Sequence, residues 1–330
     1  ADSADFASFH LRALQVKLDW KEKTQLIYKG KYNMARWYVA HDQVAKGVLV
    51  LSQLSDEINA EQYPEIKAHV LISLSSNYHE MGSIERALEY SLLAIDCLKF
   101  AQDTSFLPQA LNTVGETYRT MNDFESAISY YDRGLSSAKA QKDSFLLGMI
   151  SSNKGIALTK LKRFEEAQEA LKFGYDVAVK TGQKFGQAIL LTNAGFSAKE
   201  EKDYDRALDF YIQSLTIKEE LGNKRSLAYT LNDVGETYYF LKEYKIGLDY
   251  CLRALKLIDE SDSPYYIRDF KLTIARLYEA NNLFDSAYIY LEDSRELQEN
   301  LLNEDNIAEV ARIEQMHALR EKELENSVLK

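Results

Sequence analysis

The residue types that most often do chemistry are scattered in this chain. Its five histidines, His10, His41, His69, His79 and His317, share no spacing that would bring two of them onto one metal ion. His79 and Glu80 open like the helix of a zinc hydrolase, but the second histidine is missing. No G-x-S-x-G elbow, G-x-G-x-x-G turn, phosphate-binding loop or C-x-x-C pair occurs. Cys97 and Cys251 are too far apart in sequence to meet in a linear array, and they read as buried free thiols. Carboxylates are plentiful, yet an amphipathic helical surface needs them for solvation, so no pair stands out as acid and base. The sequence predicts no enzyme, no cofactor and no metal site.

The composition says what must position such residues. Of 330 residues, 46% are apolar and 28% charged, with only 3 prolines and 14 glycines, which predicts long uninterrupted helices. The 40 basic residues against 51 acidic ones leave a net charge of -11 and no basic patch. That balance repels phosphate backbones and anionic membrane surfaces, so neither direct nucleic-acid contact nor membrane insertion is expected of this region. Apolar runs such as Val48 to Leu51 are too short to span a bilayer. The first residue is Ala1 rather than methionine, which predicts a processed leader or a segment of something longer.

Self-similarity organises the chain. Gly115, Gly155, Gly195 and Gly235 recur every forty residues, and the same register places Ala35, Ser75 and Ala275 around them. Twelve residues after each of these markers stands another small residue: Gly47, Ala87, Ala127, Ala167, Ala207, Gly247 and Ala287. Nineteen after, five consecutive repeats and a sixth carry Ala94, Gly134, Gly174, Ser214, Ala254 and Ser294. Small residues at matched positions predict two antiparallel helices per repeat crossing closely, with bulkier neighbours filling in. Aromatic residues keep the same phase, at Tyr38, Tyr78, Tyr118, Tyr238 and Tyr278 three after the marker. Nine after it stand Ile84, Phe124, Phe164, Tyr204, Tyr244 and Phe284, which read as interlocking core. Helix ends are expected to follow the same period: Asp103, Asp143, Asn223 and Ser263 at the start of first helices, Ser83, Asp123 and Asp203 at the start of second helices, and Gly182 and Gly222 past helix ends.

A small residue, an aromatic three later, alanine at plus twelve, a bulky residue at plus sixteen and a small one at plus nineteen resemble the tetratricopeptide repeat. The best copies run from Leu111 to Gly134 and from Leu231 to Ala254, where LNTVGETY and LNDVGETY differ at one position. The resemblance covers residues 24–302 and implies an all-α, right-handed superhelix of antiparallel helix pairs, about seven repeats long. Two features depart from the family: the unit is longer than its usual length of about 34 residues, and the closing proline is absent.

The resemblance further implies a function. In this family the first helix of each unit lines a concave groove through positions around the marker. Carried over repeat by repeat, that selects Asn112, Glu116 and Arg119, then Ser152, Asn153 and Ile156, then Thr192, Asn193, Phe196 and Lys199, and finally Asn232, Glu236 and Tyr239. An amide donates to a carbonyl and accepts from an N–H, so asparagines in all four central repeats would suit the backbone of an extended peptide. The alternative is that they bond to neighbouring helices, with Tyr229, Tyr239 and Phe240 as core. The expected partner is a peptide or protein segment, and the expected role a non-catalytic ligand-sensing or scaffold region of a signalling or transcriptional regulator. A constitutive cytoplasmic scaffold is the other reading.

The ends differ from the middle. Residues 1–23 place Ala7 and Leu11 in phase with the second helix of a repeat, as an N-terminal cap or partial unit. Residues 303–330 are expected to form a charged helix with Ile307, Val310, Ile313, His317 and Leu324 along one face. The pattern predicts either a capping helix or a linker capable of dimerising. It resembles the segment joining periplasmic tetratricopeptide sensor regions to a membrane helix in Bacteroidetes regulators, which implies a periplasmic location on a membrane-anchored protein.

Overall fold

The computed structural model describes residues 20–41, 43–99, 101–258 and 264–301. The readings of Ala7 and Leu11, of the cap at Ser263 and of the tail at 303–330 lie outside those residues. Among the described residues there are helices and no strand. In chain order they are α1 (Trp20–Ala40), α2 (Val44–Glu57), α3 (Pro64–Glu80), α4 (Ile84–Leu98), α5 (Leu107–Thr120), α6 (Phe124–Gln141), α7 (Ser144–Lys160), α8 (Phe164–Lys180), α9 (Lys184–Glu200), α10 (Tyr204–Leu221), α11 (Lys224–Phe240), α12 (Tyr244–Leu257) and α13 (Pro264–Ala280). A last helix, α14, covers 284–301. The described residues form two compact units, one up to Ser137 and one from Ala138 onward. In each, the two helices of a repeat pack together and the second lies against the first helix of the next repeat, the arrangement the small-residue register calls for.

The crossings explain the register. In the first unit an added Cβ on Gly115 would stand 2.5 Å from Tyr131; in the second, one on Gly155 would stand 2.5 Å from Leu171 and one on Gly195 2.6 Å from Tyr211. Each marker thus faces the bulky residue sixteen later, and the glycine hydrogen leaves the space the ring or leucine takes. Where the marker is Ser75, the partner shrinks to Ser91, and Ser75 Oγ donates to the Ala87 carbonyl at 2.7 Å. Both solutions bury the crossing completely.

Capping chemistry also repeats. Asp143 accepts from Leu146 N, Asp203 from Arg206 N and Asn223 from Ser226 N, each satisfying an N-terminal amide of its helix. Asp123 accepts from Ser126 N in the same way. Gly182 and Gly222 adopt left-handed φ of 70° and 68°. Asp103 is a correction, because α5 starts at Leu107 with Pro108 in its first turn, and Asp103 caps a preceding turn by accepting from Ser105 N. Ser83 precedes α4 but makes no capping bond. The residues nine after the marker are not deep core: they open second helices half-buried, and Phe284 is exposed. Cys251 is buried as expected, whereas Cys97 is only half-buried; both are free thiols.

Candidate ligand-binding face and the lysine beneath it

In the second unit the first helices of three successive repeats, α7, α9 and α11, run side by side. They carry most of the residues selected from the sequence. Asn153, Ile156, Asn193, Phe196, Lys199, Asn232, Glu236 and Tyr239 are all half-buried, so each keeps part of its surface in solvent. In the first unit α5 holds Glu116 and Arg119 half-buried, but Asn112 is buried.

Neighbouring helices link these side chains. Lys199 Nζ of α9 reaches α11, 2.5 Å from Glu236 Oε2 and 4.0 Å from Asp233 Oδ1. Burial alone would lower the pKa of this ammonium, but Asp233 and Glu236 reverse the shift and leave it raised. The Lys160 ammonium stands 5.1 Å from the Phe196 ring centre and that of Lys199 5.9 Å, so the ring is within reach of two cations. Asn193 Nδ2 donates to Ser152 Oγ of α7 at 2.7 Å, a bond that joins two helices through the amide's donor end. Tyr239 meets Phe240 edge to face at 5.7 Å, and Phe240 stacks on Tyr204 at 5.3 Å. Tyr229 stacks on Tyr266 at 4.1 Å.

The four asparagines do not form a single row. Asn153 and Asn193 stand two residues before their markers and Asn112 and Asn232 three before. One residue turns a helix by about 100°, so the two sets face different ways. Asn232 Oδ1 is buried with no hydrogen-bond partner, an acceptor without a donor among the described residues.

Sequence reasoning missed the residue beneath this face. Lys218 of α10 is 3% exposed, and its ammonium lies between α9 and α11, donating to Thr192 Oγ1 at 2.9 Å and Thr230 Oγ1 at 2.6 Å. Among the described residues no carboxylate is within ion-pair distance of it. Burial pushes its pKa down to about 8, against the pull of Asp233. Asp233 is pushed up to about 6 by burial, opposed chiefly by Lys199. The signal was present in the register: twenty-three residues after the marker the chain places Ile58, Leu98, Ala138, Ala178, Lys218 and Ile258, all buried. Its partner Thr230 also breaks an otherwise apolar series of Val70, Ala110, Ile150, Leu190 and Phe270. Two coupled departures from one pattern mark a place where something other than packing shaped the sequence.

The tetratricopeptide repeat family model matches residues 108–141. No curated protein matches the chain. Among solved structures the apo form of RapI is 14% identical, with a TM-score of 0.69 over 98% of this chain and 93% of that one. A Rap protein complexed with Competence and Sporulation Factor is also 14% identical, with a TM-score of 0.61 over the same shares, 98% and 93%. A tetratricopeptide repeat protein from Parabacteroides merdae is 11% identical, with a TM-score of 0.56 over 87% of this chain and 98% of that one. At such identities these likenesses speak for the fold. With the forty-residue register, the paired helices and the matched unit, they show a helical-repeat fold like that of tetratricopeptide repeat proteins.

Proposed function

We propose that the chain is a non-catalytic protein-binding module whose α7, α9 and α11 face takes an extended polypeptide segment, as the ligand-sensing or scaffold region of a signalling or regulatory protein. The observation that carries this reading is the series of half-exposed polar and aromatic side chains on three adjacent first helices, from Asn153 through Phe196 and Lys199 to Tyr239. The Lys199, Asp233 and Glu236 cluster presents both charge signs within one contact patch, which favours a polar or mixed-charge segment over a purely anionic one. That a Rap protein of like fold has been solved holding a factor supports the reading.

In a stack of repeats each unit contacts only its neighbours, so a segment bridging three helices biases their spacing at modest cost, and occupancy becomes a mechanical signal. A periplasmic location on a membrane-anchored regulator is part of the proposal, and it rests on the resemblance of residues 303–330 to the segment that joins such sensor regions to a membrane helix. It requires an apolar run of about 20 residues encoded after Lys330.

Peptides selected from a displayed random library against the wild type provide the probe. In the Asn153→Ala/Asn193→Ala variant, binding measured by fluorescence anisotropy should fall about tenfold, in line with one or two lost hydrogen bonds. The melting curve should shift only modestly, by the bonds within the fold that the two amides give up, among them that of Asn193 to Ser152. A variant that unfolds, or one that binds every selected peptide as well as the wild type, overturns the assignment of these amides.

A further inference from the structure

Four repeats fill the space between their own two helices with a stacked tyrosine pair, from three and fifteen residues after the marker. Tyr78 lies on Tyr90 at 5.2 Å, Tyr118 on Tyr130 at 5.5 Å, Tyr238 on Tyr250 at 5.6 Å and Tyr278 on Tyr290 at 5.5 Å. The two repeats between them break the rule. One has Leu158 and Ala170 at these positions, and the other has Ala198 and Phe210. Phe210 therefore lacks the ring that its own first helix would supply.

Phe210 is also where the packing opens. It lines a cavity of about 390 Å³ between α8, α9 and α10, floored by Leu171, Leu190 and Ala194, with Tyr175 as a second ring. Leu171, Leu190 and Ala194 are buried, so the floor is apolar and fixed. Glu169, Asp176 and Lys172 stand among the lining residues with two negative charges against one positive. The volume is that of a small-molecule site rather than of a packing defect. This cavity opens between the second helices of its repeats, apart from the polar face of α7, α9 and α11.

We propose that this cavity binds a small planar aromatic molecule, neutral or cationic, which packs against the Phe210 and Tyr175 rings over the apolar floor. Three physical points select that class. An unpaired ring prefers an offset or edge-on aromatic neighbour at centroid separations of about 4.5–7 Å, the range the four internal pairs occupy. An apolar floor with a polar surround admits a flat molecule bearing one hydrogen-bonding or charged edge. The acidic excess among the lining residues disfavours anions.

The test uses the whole chain with indole, tryptamine, indole-3-acetate, cyclohexylmethylamine and the peptide Gly-Trp-Gly, each followed by ligand-observed NMR titration. Indole and tryptamine should saturate at submillimolar to millimolar concentration, indole-3-acetate should bind at least severalfold more weakly, and the saturated amine should not bind. Phe210→Leu, which keeps apolar volume and removes the ring, should weaken indole about tenfold or more with the circular-dichroism melt nearly unchanged. Ala194→Leu, which fills the floor, should do the same. The proposal fails if no aromatic probe saturates, if Phe210→Leu binds indole as well as the wild type, or if Gly-Trp-Gly binds where free indole does not, which would assign the cavity to a partner protein's side chain.

Discussion

The repeat built around Ser75 and the one built around Gly195 share a backbone plan and differ in what they complete internally. In the first, Ser75 and Ser91 cross with a hydrogen bond to the Ala87 carbonyl, Tyr78 stacks on Tyr90, and Leu98 closes the base at 2% exposure. In the second, Gly195 admits the Tyr211 ring, Phe210 has no tyrosine to stack on, and the base is Lys218 at 3% exposure. The first repeat thus settles its crossing and its base with its own neutral residues. The second buries an ammonium with two threonine hydroxyls and, among the described residues, no carboxylate within ion-pair distance, on the same helix as Tyr211, whose phenol oxygen has no hydrogen-bond partner among the described residues. Such a region gives up stability for a reason that packing does not supply, and that is where a repeat protein carries function.

Moving one repeat's solution into the other gives the largest expected effect. Gly195→Ser imports the Ser75 marker without the matching Ser91. Its Cβ would stand 2.6 Å from Tyr211 Cε1, and Tyr211 is fully buried with nowhere to go. Destabilisation of about 3 kcal/mol is expected, at the upper end for overpacked cores, read as a drop in urea midpoint. Gly148→Ala is the control, because a Cβ there meets nothing closer than Leu190 at 4.0 Å and a helix interior prefers alanine over glycine by about 0.5–1 kcal/mol. If Gly195→Ser melts with the wild type, the crossing register is misassigned.

Removing the charge at the base makes the second repeat more like the first. Lys218→Met replaces the buried ammonium with an apolar chain of similar length, as five other repeats have done in their own way. Thr192 and Thr230 keep hydrogen bonds to the carbonyls of Ala188 and Ser226, so neither hydroxyl is stranded. Stabilisation of about 1–3 kcal/mol at pH 7 is expected from removing a buried charge. The sign of the pH dependence follows from the lowered pKa. Between about 8 and the ordinary lysine value of 10.5 the folded chain holds less of a proton than the unfolded one, so wild-type stability rises as pH climbs through that window. Denaturation at pH 7 and pH 10 should show this gain in the wild type and lose it in Lys218→Met. A variant less stable than the wild type would mean that the lysine is a structural tie.

How much of this was legible in the sequence divides along the same line. The crossings could be read because a glycine every forty residues leaves few physical uses other than close approach, and Asp143, Asp203 and Asn223 could be read as caps because their side chains act on amides three residues away. Asp103 failed because Pro108 resets the start of α5, a local effect that outweighs the periodic register. Phe124, Phe164 and Tyr204 failed as core because position within a helix pair, not residue type, decides depth, and the first residue of a second helix sits at its rim. Lys218 stayed hidden for another reason. A lysine in a charged helix looks solvated until its position is compared with Leu98, Ala178 and Ile258 in other repeats. The candidate amides were legible as residues but not as a row, since a one-residue offset between Asn193 and Asn232 turns them apart.

The smallest expected effect tests the turn that both repeats share. Seven residues after the marker the backbone takes a left-handed conformation, with φ of 68° at Gly82, 60° at Asn122 and Lys162, 71° at Lys202, 64° at Lys242 and 61° at Asn282. Glycine reaches that region freely, whereas a lysine Cβ crowds the following carbonyl at about 1–2 kcal/mol. Glycine also gains more freedom in the unfolded chain, which takes back part of the advantage. Lys202→Gly should therefore stabilise the second unit by only about 0.5 kcal/mol, while Gly82→Lys should destabilise the first by about 1 kcal/mol. Lys202 is exposed, so little packing clouds the comparison. Matched urea titrations of the two variants check it, and an opposite sign for the pair would mean that the turn lysines hold the helix pair in some way their backbone strain does not reveal.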